Sequence, residues 1–226
     1  VLSGCLSWGC ETGVIDPPHN PCRFIKRLPE DNHIDRYIDD DMLAGICACS
    51  QDHAARAFLI ARYTGLRHSH LLALDWSQID DKMIRPRPGQ TDTSKTHGRI
   101  PIREGLWHIL GKKKTKGPVI TYEGAPIKSL KQAILGTRRR CGFYWRLHDL
   151  RASFETELIE AGLPPQIISA LMGHADHSVS GRYARITDNM LINSVSKLPI
   201  SKIYPSVWPL DRKMCKVLGY LLHTPQ

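Results

Sequence analysis

Six side chains in this 226-residue sequence have the types and spacings to act on a phosphate group. In LHDLR, His148 and Arg151 stand three residues apart; on a helix both reach one face near its N-terminus, which already favours an anion. In LMGHADHSVSGRY, His174 precedes Tyr183 by nine positions. Arg67 follows Gly65 in TGLRHSHLLALDW, where a loop can hold a planar guanidinium for two parallel hydrogen bonds to phosphate oxygens. Lys95, in TSKTHGRIPI, falls at the tip of a predicted hairpin, as a cation and proton donor.

Two arginines, two histidines, a lysine and a tyrosine fit phosphoryl transfer without a metal ion. Fixed cations stabilise the charge that develops on nonbridging oxygens. A tyrosine oxygen can attack phosphorus and hold it covalently, a lysine can protonate the expelled 5′ hydroxyl, and a histidine can help deprotonate the tyrosine. Because the phosphotyrosine keeps the energy of the broken bond, the step is reversible and needs no nucleotide cofactor. Each residue alone has a plainer role: Tyr183 packing on a core, His148 or His174 capping a helix, Arg67 or Arg151 in a surface ion pair. Those roles leave the ordered set unexplained. Lys82, Arg99 and the lysines at 112–116 compete with Lys95 for the cationic role.

Helices must carry most of this set. An acidic start and helical spacing of Met42, Leu43, Ile46 and Cys47 predict a helix near 40–49. A second helix runs from Asp52, read as its N-cap, to a stop at Gly65, and SHLLALDW supplies another turn or two. KMIRPRP, GRIPI and PVITY are β-leaning pieces that fit a small antiparallel sheet or hairpin. Helical pattern resumes at IKSLKQAILGTRRRCG and continues through HDLRASFETELIEAG to Gly162; Pro164 and Pro165 open the next helix. Two short helices follow, one carrying Tyr183 and one at 188–197. The fold class expected is mainly α with a small antiparallel β-sheet (α+β).

Charge adds a partner class. Residues 82–146 hold sixteen Lys and Arg against three acids, so this stretch carries +13 of a chain whose net charge is +9. GKKKTKG and TRRRCGFYWR are two of its clusters, the second including Phe143, Tyr144 and Trp145. One such run reads as solvated surface; several together point to a polyanion, most simply nucleic acid. Hydrophobic residues make up 42% of the chain, enough for a core. No apolar run is long enough for a membrane span, and the start lacks a secretory layout, so a soluble, cytoplasmic protein without a membrane partner is expected. The start at Val1 hints at an excerpt of a longer chain. Seven irregularly spaced cysteines suggest reduced thiols rather than a disulfide framework or a zinc site, and no metal or other cofactor is expected.

Together these motifs resemble the catalytic domain of the tyrosine recombinase, or phage integrase, family. Thr64 to Trp76 match its TGLR-x-x-E/H-L-L-x-L-x-W pattern; Lys95 matches the hairpin lysine before I-P-I; His148 and Arg151 match its His-x-x-Arg box. Gly173, His174 and Tyr183 match Gly-His followed by the nucleophilic tyrosine. The resemblance covers about 27–197 and implies that Arg67 clamps the scissile phosphate, Lys95 is the general acid and Tyr183 the nucleophile. It implies double-stranded DNA as partner, a homotetramer on DNA with a monomer when free, and site-specific integration or excision of a mobile element. Residues 1–26 read as the end of a missing N-terminal DNA-binding domain with its linker, 27–197 as the catalytic domain and 198–226 as an extension of unassigned role. The rival readings are a noncatalytic DNA-binding remnant and a type IB topoisomerase-like enzyme.

Overall fold

The computed structural model describes residues 2–15, 20–25, 36–87, 98–174, 186–196 and 198. Lys95, Tyr183, the helix expected around Tyr183 and the tail beyond Leu198 lie outside the described residues. Backbone contacts divide the chain into Val1–Asp35 and Arg36–Gln226.

The first unit holds α1 (Leu2–Glu11) and a 3-10 turn, Pro21–Phe24. Asn20 ties them together: its amide donates to the Ser3 carbonyl at 2.7 Å and to Ser7 Oγ at 2.9 Å, while its Oδ1 accepts the Cys22 N–H.

The second unit is built around α3 (Asp52–Thr64), which packs on α2 (Asp40–Ala48), α4 (His68–Leu72), α5 (Leu106–Leu110) and α7 (Leu147–Glu160). Such surroundings explain its composition: small Ala54, Ala55, Ala57 and Ala61 let neighbours approach, and Phe58 meets Trp145 edge to face at 4.8 Å. Asp39 caps α2 by accepting the Met42 N–H at 2.8 Å. The expected cap at Asp52 is corrected: Gln51 is the N-cap and Asp52 the first helical residue, where its charge still complements the helix N-terminus. Gly65, at φ 62°, ends α3 where a side chain would be strained.

Two of the β-leaning pieces pair as expected. β1 (Met83–Ile84) runs antiparallel to β2 (Ile100–Pro101), with Met83 opposite Pro101. The third, β3 (Thr121–Tyr122), pairs instead with β4 (Ala125–Pro126), making a second two-stranded ribbon. α6 (Lys131–Cys141) begins four residues later than its sequence pattern, and α8 (Pro165–Met172) and α9 (Asp188–Val195) complete the unit. Phe154, Leu158, Ile167, Leu171, Met172, Leu191 and Val195 form a second core cluster that joins α7, α8 and α9. Fold class and architecture therefore agree with the sequence reading. No helix among the described residues is long and apolar enough to cross a membrane.

Candidate active site

Arg151 sits on the first turns of α7, a helix started by a capping box. Asp149 accepts the Arg146 N–H at 2.8 Å and the Arg146 Nε at 2.9 Å, which fixes how the chain enters the helix. From there the Arg151 guanidinium points inward, 8% exposed, and bridges two chain segments. It donates to the Gly65 carbonyl and, at 2.7 Å, to the Met172 carbonyl. The carbonyl of the next residue, Gly173, accepts from Arg67 at 2.7 Å. Arg67 in turn is the N-cap residue of α4, two positions beyond the glycine that ends α3. So the helix stops at Gly65 and Gly173, both left-handed, turn carbonyls toward two guanidiniums and hold them side by side.

His174 joins this pair. Its N–H donates to the Ser169 carbonyl at 3.0 Å, finishing α8, and its ring Nε2 lies 3.1 Å from Arg151 Nη2. A guanidinium has only donors, so Nε2 is assigned as acceptor and the ring as neutral with its proton on Nδ1. Glu155, one turn beyond Arg151 on α7, has Oε1 3.7 Å from that Nδ1.

The electrostatics follow from burial and crowding of like charge. Burial, then the Arg67 charge, pulls Arg151 down to about 10, with Glu155 opposing. It stays protonated at neutral pH. Burial also lowers His174 below its ordinary value; Glu155 raises it, and Arg151 and Arg67 add to the lowering.

The structure thus brings Arg67, Arg151 and His174 together. His148 lies on the first turn of α7, exposed and one turn before Arg151; among the described residues it shares none of the bonds joining the other three. The strands flanking Lys95 pair at β1 and β2, but Lys95 and Tyr183 themselves lie outside the described residues. Sequence reasoning missed Glu155, whose signal was its spacing of four from Arg151 on one helix face. It also missed the three carbonyl anchors, which are backbone groups without a side-chain signature. Among the described residues, no cluster of three or more His, Cys, Asp or Glu could hold a metal ion.

The basic middle of the chain is less of a free surface than its composition implied. Trp145 is fully buried in the core, so it leaves the aromatic cluster read from TRRRCGFYWR, while Arg138 covers the half-exposed Tyr144 ring at 4.2 Å. Arg103 is buried against Glu157, and Arg85 and Arg99 both pair with Asp188, at 2.7 and 2.8 Å. Lys112, Lys113, Lys114 and Lys116 are exposed.

Comparison with known proteins gives the chain a family. The sequence model of the phage integrase family matches residues 37–190. The integrase of Salmonella phage P22 is 26% identical over 150 residues, covering 57% of this chain and 38% of that protein. A XerC-like tyrosine recombinase of Caldanaerobacter subterraneus is 26% identical over 232 residues, covering 79% of this chain and 59% of its own. The chain thus spans between about two fifths and three fifths of the length of these relatives. Among solved structures, an integrase from mycobacterium phage Brujita superposes with a TM-score of 0.58 at 18% identity, covering 89% of this chain and 72% of that one.

Proposed function

Because the chain belongs to the phage integrase family, we propose that it is the catalytic part of a site-specific DNA recombinase that cuts and rejoins strands through a 3′-phosphotyrosine, integrating or excising a mobile element. One observation carries this reading: Arg151 is anchored by carbonyls, which fix a guanidinium without neutralising it, beside a second arginine. A phosphodiester is the ligand that such a pair fits, since each fork can grip its nonbridging oxygens.

In the proposed reaction Tyr183 Oη attacks the phosphorus, the bond to the 5′ oxygen breaks, and Lys95 gives that oxygen a proton. Arg67 and Arg151 stabilise the negative charge growing on the nonbridging oxygens, and His174 adds a hydrogen bond to one of them. His148, beside Arg151 at the helix N-terminus, assists the loss of the tyrosine proton. An incoming 5′ hydroxyl then reverses the step on another strand, so no cofactor is consumed. Double-stranded DNA is the substrate, and a tetramer holding two duplexes is the working assembly. The exposed side chains of Lys112, Lys113, Lys114 and Lys116 support contact with the DNA backbone.

The test is covalent capture. The protein is incubated with fragments of the DNA that carries its coding sequence, denatured in detergent, and digested for mass spectrometry. A nucleotide joined to Tyr183 is expected, absent in Tyr183→Phe and reduced roughly 100- to 1,000-fold in Arg151→Ala, the usual loss when one transition-state charge partner is removed. An adduct that survives in Tyr183→Phe overturns the role given to that residue. Salt-sensitive DNA binding with no adduct identifies a noncatalytic binding remnant instead.

A further inference from the structure

We propose that Glu155 is a positioning residue for His174: its carboxylate keeps the ring turned with Nδ1–H toward α7 and Nε2 toward Arg151, ready to accept a second proton when an anion arrives. This rests on the phosphate site proposed above.

The backbone alone does not choose a ring orientation. His174 is fixed as far as its N–H by the bond to Ser169 O, but the ring can still flip, which puts a carbon in place of each nitrogen, and its proton can sit on either nitrogen. Arg151 removes one option, because its Nη2 at 3.1 Å can only donate and so needs the unprotonated nitrogen opposite it. Glu155 removes the other. Its Oε1 lies 3.7 Å from Nδ1, longer than a hydrogen bond but within ion-pair reach, so a proton at Nδ1 is favoured and a lone pair there is not. Both carboxylate and guanidinium come from one face of α7, four residues apart, which makes their spacing as rigid as the helix.

Charge gives the same residue a second role. Among the described residues, the groups facing the ring are Glu155 and Arg151 from α7 and Arg67 from the start of α4. Burial and both arginines oppose an imidazolium; among the described residues facing it, Glu155 is the group that favours one. A phosphate oxygen entering between the guanidiniums adds negative charge beside Nε2. The ring then takes one proton from solvent at Nε2, donates it as a hydrogen bond to the oxygen, and keeps Nδ1–H toward Glu155. Glu155 itself gains and loses no proton. It acts through His174 and does not touch the phosphate.

The experiment is a pH titration of nitrogen-15-labelled histidine in the intact protein, followed by NMR. Above the His174 midpoint, the Nδ1–H tautomer is expected in the wild type. Glu155→Gln keeps an oxygen acceptor and loses the charge; its midpoint should fall, with the ratio of imidazolium to imidazole at fixed pH down roughly two- to fivefold, the range for a partly exposed ion pair. Glu155→Asp should restore part of that ratio. A dominant Nε2–H tautomer in the wild type, or identical midpoints in wild type and Glu155→Gln, overturns the proposal. In the adduct assay, the pH above which the rate declines should be lower in Glu155→Gln. The two readings separate cleanly: NMR effects without any adduct leave Glu155 in place and remove the recombinase reaction, whereas an adduct whose pH profile ignores Glu155 removes only the positioning role.

Discussion

Replacing Gly65 by alanine tests whether the junction that anchors Arg151 is as tight as the structure shows. Gly65 holds φ at 62°, closes α3 through its N–H to Ala61 O at 2.9 Å, and offers its carbonyl to Arg151. An added Cβ would stand 2.4 Å from Phe154 Cδ1 and 3.1 Å from Met172 Sδ. Phe154 is 1% exposed and cannot swing into solvent. The left-handed backbone costs an alanine about 1–2 kcal/mol, and forcing a methyl into a packed core adds about 1–3 kcal/mol. Gly162 is the control: its φ is 72°, but an added Cβ meets nothing within 4 Å, so only the backbone cost applies. Chemical denaturation of both variants should therefore show Gly65→Ala less stable than Gly162→Ala by about 1–3 kcal/mol. That difference is about 2–12 °C in melting temperature for a domain of this size. Equal losses, within about 0.5 kcal/mol, would mean that the Phe154 contact is not as drawn and that the carbonyl anchor is free to shift.

Other perturbations probe separate parts of the molecule. Glu157 joins Arg62 at 2.6 Å and Arg103 at 2.8 Å, both arginine side chains being 4% exposed or less; Glu157→Ala should cost about 3–5 kcal/mol in a denaturant titration, and a loss below about 1 kcal/mol would show the arginines finding other partners. Burial pushes the Cys47 thiol up to about 12, so native-state alkylation read by mass spectrometry should modify the exposed Cys5 and spare Cys47 until the protein is unfolded; equal labelling would refute this. Asp75 accepts the Ser77 N–H at 2.8 Å and the Gly117 N–H at 2.9 Å, and these bonds, Ser77 first, hold its carboxyl below the usual range. Asp75→Ala should cost about 0.5–2 kcal/mol at neutral pH. Since the folded carboxyl is the more acidic, that difference is full above the unfolded value near 3.8 and shrinks as pH falls through the folded one; a gap that persists in strong acid would contradict it.

Helices were readable from the sequence where local rules agree with packing. Gly65 ends α3 and Gly162 follows α7 because both lie left-handed, and Pro165 opens α8 where its missing N–H is no loss. Asp52 was misplaced by one residue because aspartate suits both an N-cap and a first turn, and only backbone geometry separates the two. The partner of β3 was hidden because Ala125 and Pro126 have no strand propensity; a tight turn at Glu123 and Gly124 pairs them. Trp145 looked like part of a nucleic-acid surface because basic residues flank it, yet its ring fills the space beside Phe58. In the site, motif spacing named Arg67, Arg151 and His174, while the partners that fix them are mostly carbonyls from segments far away in sequence. Such partners depend on chain path, which residue type does not encode.

The way Arg151 is held has a thermodynamic consequence for the unliganded domain. Carbonyl dipoles and an imidazole are its hydrogen-bond acceptors among the described residues, and with a value near 10 it keeps its charge at neutral pH. Folding must therefore confine two neighbouring guanidiniums, so an oxyanion bound between them stabilises the domain. Stability should rise with the concentration of a multivalent oxyanion, by about 2.7 kcal/mol at a hundredfold excess over its dissociation constant, and the melting temperature with it. A calorimeter could thus find conditions that occupy this site before any DNA sequence is known.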